Sequence, residues 1–97
     1  MNPYGLASKV NALPGQRENL VEVLLEISRL VLHGDGCLSH VVSIVPDDDD
    51  AIFITEYWLS HDAHRTVFAL PGLFELMNQC QALAAGFEQT ELRPLNN

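Results

Sequence analysis

Apolar residues in this chain change their spacing several times, and each change marks an element. Over residues 4–13, YGLASKVNAL, they alternate loosely and stop at Pro14-Gly15, so a first strand ending in a turn is expected. Ser8, Val10 and Ala12 share one face of it, and Lys9, Asn11 and Leu13 share the other. Over residues 16–33 the repeat becomes helical. Leu20, Leu24, Ile27 and then Leu30 or Val31 recur on one side, widened by Val23, with Glu18, Glu22, Glu26 and Arg29 opposite. Gly34 and Gly36 are expected to supply the left-handed positions that stop this helix. Alternation returns over Cys37–Val45, where Leu38, His40, Val42 and Ile44 share a face. Pro46 and the run Asp47–Asp50 then link this strand to the next as a hairpin.

The stretch from Ile52 to His64, IFITEYWLSHDAH, organises the rest. Ile52, Ile54, Glu56 and Trp58 have one parity, and Phe53, Thr55 and Tyr57 the other. β-Branched and aromatic residues fill both sets, which predicts a strand buried on both faces, with Glu56 a lone carboxylate among apolar neighbours. Ser60 has the character of a helix N-cap, Asp62 suits the first turn, and His61 and His64 fall three apart on the helix that follows. This helical region extends from about His61 to Ala85 and is interrupted at Leu70-Pro71-Gly72, where the proline is expected to restart it. Leu73, Leu76, Met77 and Cys80 give the second piece its apolar stripe, and Gly86 is expected to end it. A last strand, Phe87–Leu95, carries Pro94 and suits a sheet edge.

The order is strand-helix-strand-strand-helix-strand. That is the ferredoxin-like split βαβ arrangement, an α+β fold with a four-stranded antiparallel sheet and both helices on one face, as a single domain over residues 1–97. If Leu38, His40, Val42 and Ile44 lie beside Phe53, Thr55 and Tyr57, the other sheet face is apolar and bare. A back-to-back homodimer is therefore expected.

Composition narrows the functional classes. A chain of 97 residues with 47% hydrophobic content can bury a core without disulfide staples. Net charge is −8 with five Lys and Arg residues, which leaves no basic face for a nucleic-acid backbone. No run of about 18 apolar residues exists to span a membrane. The start MNPYGLASKV lacks the layout of a signal peptide, so a cytoplasmic protein is expected. Cys37 and Cys80 are far apart and outside any CxxC pattern, which reads as two reduced packing thiols. The four aspartates lack the spaced ligands and glycine of a calcium loop and read as a solvated hairpin tip. No Gly-rich phosphate loop opens a helix, so no nucleotide cofactor is indicated.

Several short motifs then occur in a telling order. They are Leu13-Pro14-Gly15 before the long helix, Gly36-Cys37-Leu38 opening the second strand, Glu56-Tyr57-Trp58, Ser60-His61-Asp62-Ala63-His64, and the break at Leu70-Pro71-Gly72. In this the chain resembles the antibiotic biosynthesis monooxygenase family from about Ala7 to Leu95. The resemblance implies a dimeric α+β barrel in which each subunit keeps its own pocket between sheet and helices. Members include cofactor-free monooxygenases of quinols and aromatic polyketides, haem-degrading enzymes, an isomerase and proteins without known chemistry. The haem-degrading branch uses an Asn in the first strand and a Trp and a His in the second helix. The matching places here hold Ser8, Val67 and Met77, so haem degradation is not implied.

His64 is the first candidate for chemistry. A cofactor-free monooxygenase needs a base near neutral pH, a dry cavity and donors for reduced oxygen, and a helix histidine over the pocket could be that base. The alternative is a partly exposed histidine beside Arg65. Trp58 either packs in the core or lines a flat aromatic ligand, while Tyr57 lies on the opposite face. Glu56 must find a donor if buried, for which Arg93, Lys9 or a partner subunit are candidates. Asn11 could hydrogen-bond a substrate or simply end its strand. His40 is either a hydrogen-bonded interior histidine or a substrate contact. His61 and His64 together supply only two ligands, so no metal is expected, and His33 suits a helix C-terminus. The reading is a cofactor-independent monooxygenase of a quinol or electron-rich aromatic. A small-molecule isomerase using the same pocket and a non-enzymatic ligand-binding or structural module are the alternatives.

Overall fold

Strand β1 (Tyr4–Ala12) runs through the middle of the sheet in the computed structural model, which describes residues 2–96. Strand β3 (Ala51–Trp58) lies antiparallel along one side of it, from Tyr4 opposite Trp58 to Asn11 opposite Ala51. Strand β4 (Ala84–Leu92) pairs with its other side, and β2 (Cys37–Ile44) pairs with β3, giving the order β2-β3-β1-β4 with every pair antiparallel. Helix α1 (Arg17–Leu32), the short α2 (His61–Thr66) and α3 (Leu73–Leu83) complete a ferredoxin-like α+β fold. A single 3₁₀ turn, Val67–Ala69, follows α2 directly.

Burial settles which strand faces point at the helices. On β1 the inward row is Leu6, Ser8, Val10 and Ala12, and on β3 it is Ile52, Ile54, Glu56 and Trp58. Val10, Ala12, Ile52 and Ile54 pack with Leu20 and Leu24 of α1 into one cluster. Trp58 packs with Val31, Val67 and Leu73 into a second. The other β3 parity is less enclosed, with Phe53 38% exposed, so within the single chain β3 is buried on one face only.

Strand β2 corrects the expected arrangement of the bare face. His40 stands opposite Glu56, Val42 opposite Ile54 and Ile44 opposite Ile52, so these three belong to the helix-side row. Leu38 sits in a register shift between Cys37 and Ser39, where one added residue breaks the alternation. The bare face therefore carries Ser39, Val41 and Ser43 beside Tyr57, Thr55 and Phe53, a more polar surface than expected.

Three boundaries also differ. Strand β4 begins at Ala84, so Gly86 lies within it opposite Asn11 and does not end α3. The Leu13 N–H instead donates to the carbonyl of Leu83 at 2.8 Å, which closes the last turn of α3 without a glycine. Gly72, not Pro71, is the residue just before α3. Of Gly34 and Gly36, only Gly36 has a positive φ, +89°. The aspartate link is tied down locally: Asp48 Oδ1 accepts from the N–H groups of Asp50 and Ala51 at 2.9 and 3.2 Å, and Arg17 donates to the carbonyl of Asp48. The hydrogen bond from Asp50 is the leading cause that holds the Asp48 carboxyl below its ordinary range.

Gly36 fixes where α2 lies. Its carbonyl accepts from the Leu59 N–H at 2.8 Å, and a Cβ at this position would stand 2.7 Å from the Ala63 Cβ. No side chain fits, and the left-handed backbone favours none. Gly36→Ala should cost about 2–4 kcal/mol by chemical denaturation and displace α2. Unchanged stability would show that α2 is not seated on this glycine.

Candidate functional site

The passage from β3 to α2 is only two residues long, Leu59 and Ser60, and it delivers a histidine over the end of the sheet. Ser60 is extended, and its Oγ accepts from the Ala63 N–H at 3.1 Å, capping α2 as its sequence suggests. His64, one residue later, turns back over the helix side of the sheet. Its ring lies 5.4 Å from the rings of Trp58 and Phe68, edge-on in both cases, and 5.4 Å from that of Tyr4.

His64, Trp58 and Phe68 border a cavity of about 370 Å³ between sheet and helices. That is at the small end of the range for ligand pockets, about 300–1,000 Å³. Apolar walls come from Val10, Ile27, Ile54, Val67, Phe68 and Met77. Its polar groups include Ser8, His40, Glu56, His64 and Gln89. A larger, open groove lies between α1 and α3, but Glu26, Arg29, His33, Glu75 and Gln79 in it are all exposed and no buried residue lines it. Desolvated chemistry has no place there.

Glu56 is held inside. The Trp58 indole N–H donates to Glu56 Oε1 at 2.9 Å, and His64 Nε2 lies 3.6 Å from the same oxygen. Neither Arg93 nor Lys9 forms an ion pair with it among the described residues, and within the chain Trp58 and His64 stand in their place. Burial holds His64 below the ordinary imidazole pKa, and the nearby His61 adds to this. His40 is also held low, by burial first, with the Glu56 carboxylate opposing. The His40 Nδ1 is buried without a partner among the described residues, so protonating it would strand an N–H group. Its backbone carbonyl accepts from Ser28 Oγ at 3.1 Å. Burial pushes the Cys80 thiol up to about 11, which leaves it a neutral wall of the cavity, and it also raises the Cys37 thiol.

His64, His40, Glu56 and Trp58 are thus brought together around one cavity, and Asn11 is not. Asn11 has the opposite parity to Ser8 and Val10 on β1, which places it on the bare face beside Ala51 and Gly86. Trp58 is wholly buried in the core and also borders the cavity. Sequence reasoning missed Phe68 as a neighbour of His64 and the pair formed by Gln89 Nε2 donating to Ser8 Oγ at 3.1 Å. The alternation Phe87, Gln89, Glu91 on β4 was the available signal for Gln89. Ser8, Val67 and Met77, the positions matched to the haem-degrading branch, all border the cavity.

The family model for antibiotic biosynthesis monooxygenases matches residues 3–72 of this chain. The chain belongs to the antibiotic biosynthesis monooxygenase family. A structure from Chloroflexus aurantiacus, described as a candidate antibiotic biosynthesis monooxygenase, is 38% identical with a TM-score of 0.90, covering 98% of this chain and 95% of that one. SnoaB from Streptomyces nogalater, described as a cofactor-independent oxygenase, is 18% identical with a TM-score of 0.87, covering 100% of this chain and 97% of its own. A further candidate member from Deinococcus radiodurans is 23% identical with a TM-score of 0.84, covering 97% and 94% of the two chains. No curated protein sequence matches the chain. Trp58→Phe removes the shorter of the two contacts to Glu56 and part of the core. Its unfolding free energy should fall by roughly 2–4 kcal/mol in denaturant titration. A loss below about 0.5 kcal/mol would mean that the indole does not hold the carboxylate.

Proposed function

We propose that this protein is a cofactor-independent monooxygenase of an electron-rich hydroxyaromatic or quinol, with His64 as its base. The observation that carries the reading is the setting of His64, an imidazole held toward neutrality among the Tyr4, Trp58 and Phe68 rings at the wall of a largely apolar cavity. The fold shared with SnoaB, described as a cofactor-independent oxygenase, supports it.

In this chemistry the substrate supplies the electrons. His64 takes the proton of a ring hydroxyl, and the resulting aryloxide gives one electron to dioxygen. The aryloxyl radical, its spin spread onto the ring carbons, and superoxide combine to form a carbon–oxygen bond at a ring position bearing hydrogen. His64 returns its proton to the peroxide. Loss of the ring hydrogen and cleavage of the O–O bond then yield a quinone and water, so one oxygen atom stays on the ring and the other leaves. The cavity's contribution is to exclude water from the radical pair and to hold the ring beside the base.

If His64 is the base, His64→Ala lowers oxygen consumption with a hydroxynaphthalene panel by about a hundredfold or more. Because the neutral imidazole is the working form, the wild-type rate rises with pH to a plateau. Its midpoint falls below the ordinary value of about 6.5, since burial depresses this group. Full turnover by His64→Ala sinks the assignment.

We further propose a homodimer joined through the bare sheet face. Val41, half exposed, and Phe53 lie there with Tyr57 and Thr55, and the helices leave this face uncovered. Light scattering should then give twice the 10.8 kDa of one chain. A stable single-chain mass at micromolar concentration contradicts the proposal.

A further inference from the structure

Among the described residues no lysine or arginine borders the cavity, and Glu56 is its single carboxylate. The two histidines there are held toward neutrality, and the Cys80 thiol is uncharged at neutral pH. Ser8, Gln81 and Gln89 contribute dipoles without formal charge. An anion entering this space would leave water, meet apolar walls and a carboxylate, and find no countercharge. Glu56 is fixed in place by the Trp58 N–H, so it does not swing out to make room. Among the described residues its one ionic neighbour is His64, at 3.6 Å. The net charge of −8 adds repulsion at longer range. A phenolic hydroxyl faces none of these penalties, because it can donate to an imidazole or a carboxylate and brings no second charge into the interior until reaction.

We propose that Glu56 makes the cavity a charge filter, which takes uncharged hydroxyaromatic ligands and rejects otherwise equivalent molecules that carry a carboxylate. This rests on the reading of the cavity as the substrate site, and it narrows the substrate class from hydroxyaromatics at large to uncharged ones. Acidic aromatics are excluded even where ring size and hydroxyl position are suitable.

Binding without turnover tests the filter. Calorimetric titration under argon at pH 7.5 would compare 5-hydroxy-1-naphthamide with 5-hydroxy-1-naphthoate, which match in shape and differ in charge. The amide should bind at least about thirtyfold more tightly to the wild type. Glu56→Gln keeps an acceptor for the Trp58 N–H and removes the charge, and it should narrow the ratio by at least about fivefold, the remainder being the desolvation that the substitution leaves in place. Gln89→Lys brings a cation to the cavity and should tighten the naphthoate by about tenfold while changing the amide less than about threefold. Equal binding of the two compounds by the wild type overturns the filter, as does a ratio that a folded Glu56→Gln leaves unchanged. If Glu56→Gln fails to fold, the wild-type ratio and Gln89→Lys decide. Binding of neither compound overturns the cavity as a ligand site along with the filter. A wild type that selects the amide but consumes no oxygen refutes the oxygenase reading alone and leaves the filter standing.

Discussion

Glu56 sets the terms for the interior of this molecule. A carboxylate on the helix-facing row of a central strand is expensive to desolvate, by several kcal/mol when unpaired, and here no Lys or Arg offsets it. The fold answers with an indole N–H at 2.9 Å from the next residue of the same row, Trp58, and with His64 brought over from α2. Both partners are delivered by one continuous piece of chain.

His64 in turn depends on features remote from any chemistry. Its helix has only six residues and buries none of them fully, so little holds α2 through its own packing. Position comes from the Ser60 cap and from the close approach of Ala63 to Gly36. The 3₁₀ turn that follows carries Val67 into the core and Phe68 against the histidine ring. Stability and site geometry therefore rest on the same contacts.

Much of this was legible in the sequence, for reasons that particular residues show. The helical stripe of Leu20, Leu24 and Val31, the Ser60 cap and the β-branched row of Ile52 and Ile54 each express a local rule that the tertiary structure does not overturn. The strand β2 face was misjudged because alternation carries no information on which side of a sheet is covered, and the register shift near Leu38 adds a residue that parity cannot count. Strand β4 was set too late because Gly86 reads as a stop signal, whereas the stop is a backbone hydrogen bond from Leu13 to Leu83, far apart in sequence. The same limit applies to the site. The helix side chains around His64 could be listed from spacing, but Asn11 was placed with them although its β1 parity turns it to the bare face. Gln89 enters through long-range register, which a single sequence encodes only weakly, whereas Phe68 stands just four residues after His64 and was open to a reading from helical spacing.

Membership of the antibiotic biosynthesis monooxygenase family explains the scaffold and leaves the ligand to be decided by this chain's own residues. The central claim is that the space beside Glu56, Trp58 and His64 is where an aromatic ligand reacts. A crystal structure with 1,4-dihydroxynaphthalene introduced under anaerobic conditions tests it most directly. The account predicts a ring in the cavity between sheet and helices, with one ligand oxygen within hydrogen-bonding distance of His64. A ligand seated instead in the open groove between α1 and α3, with the cavity beside His64 filled by repacked side chains, would contradict it.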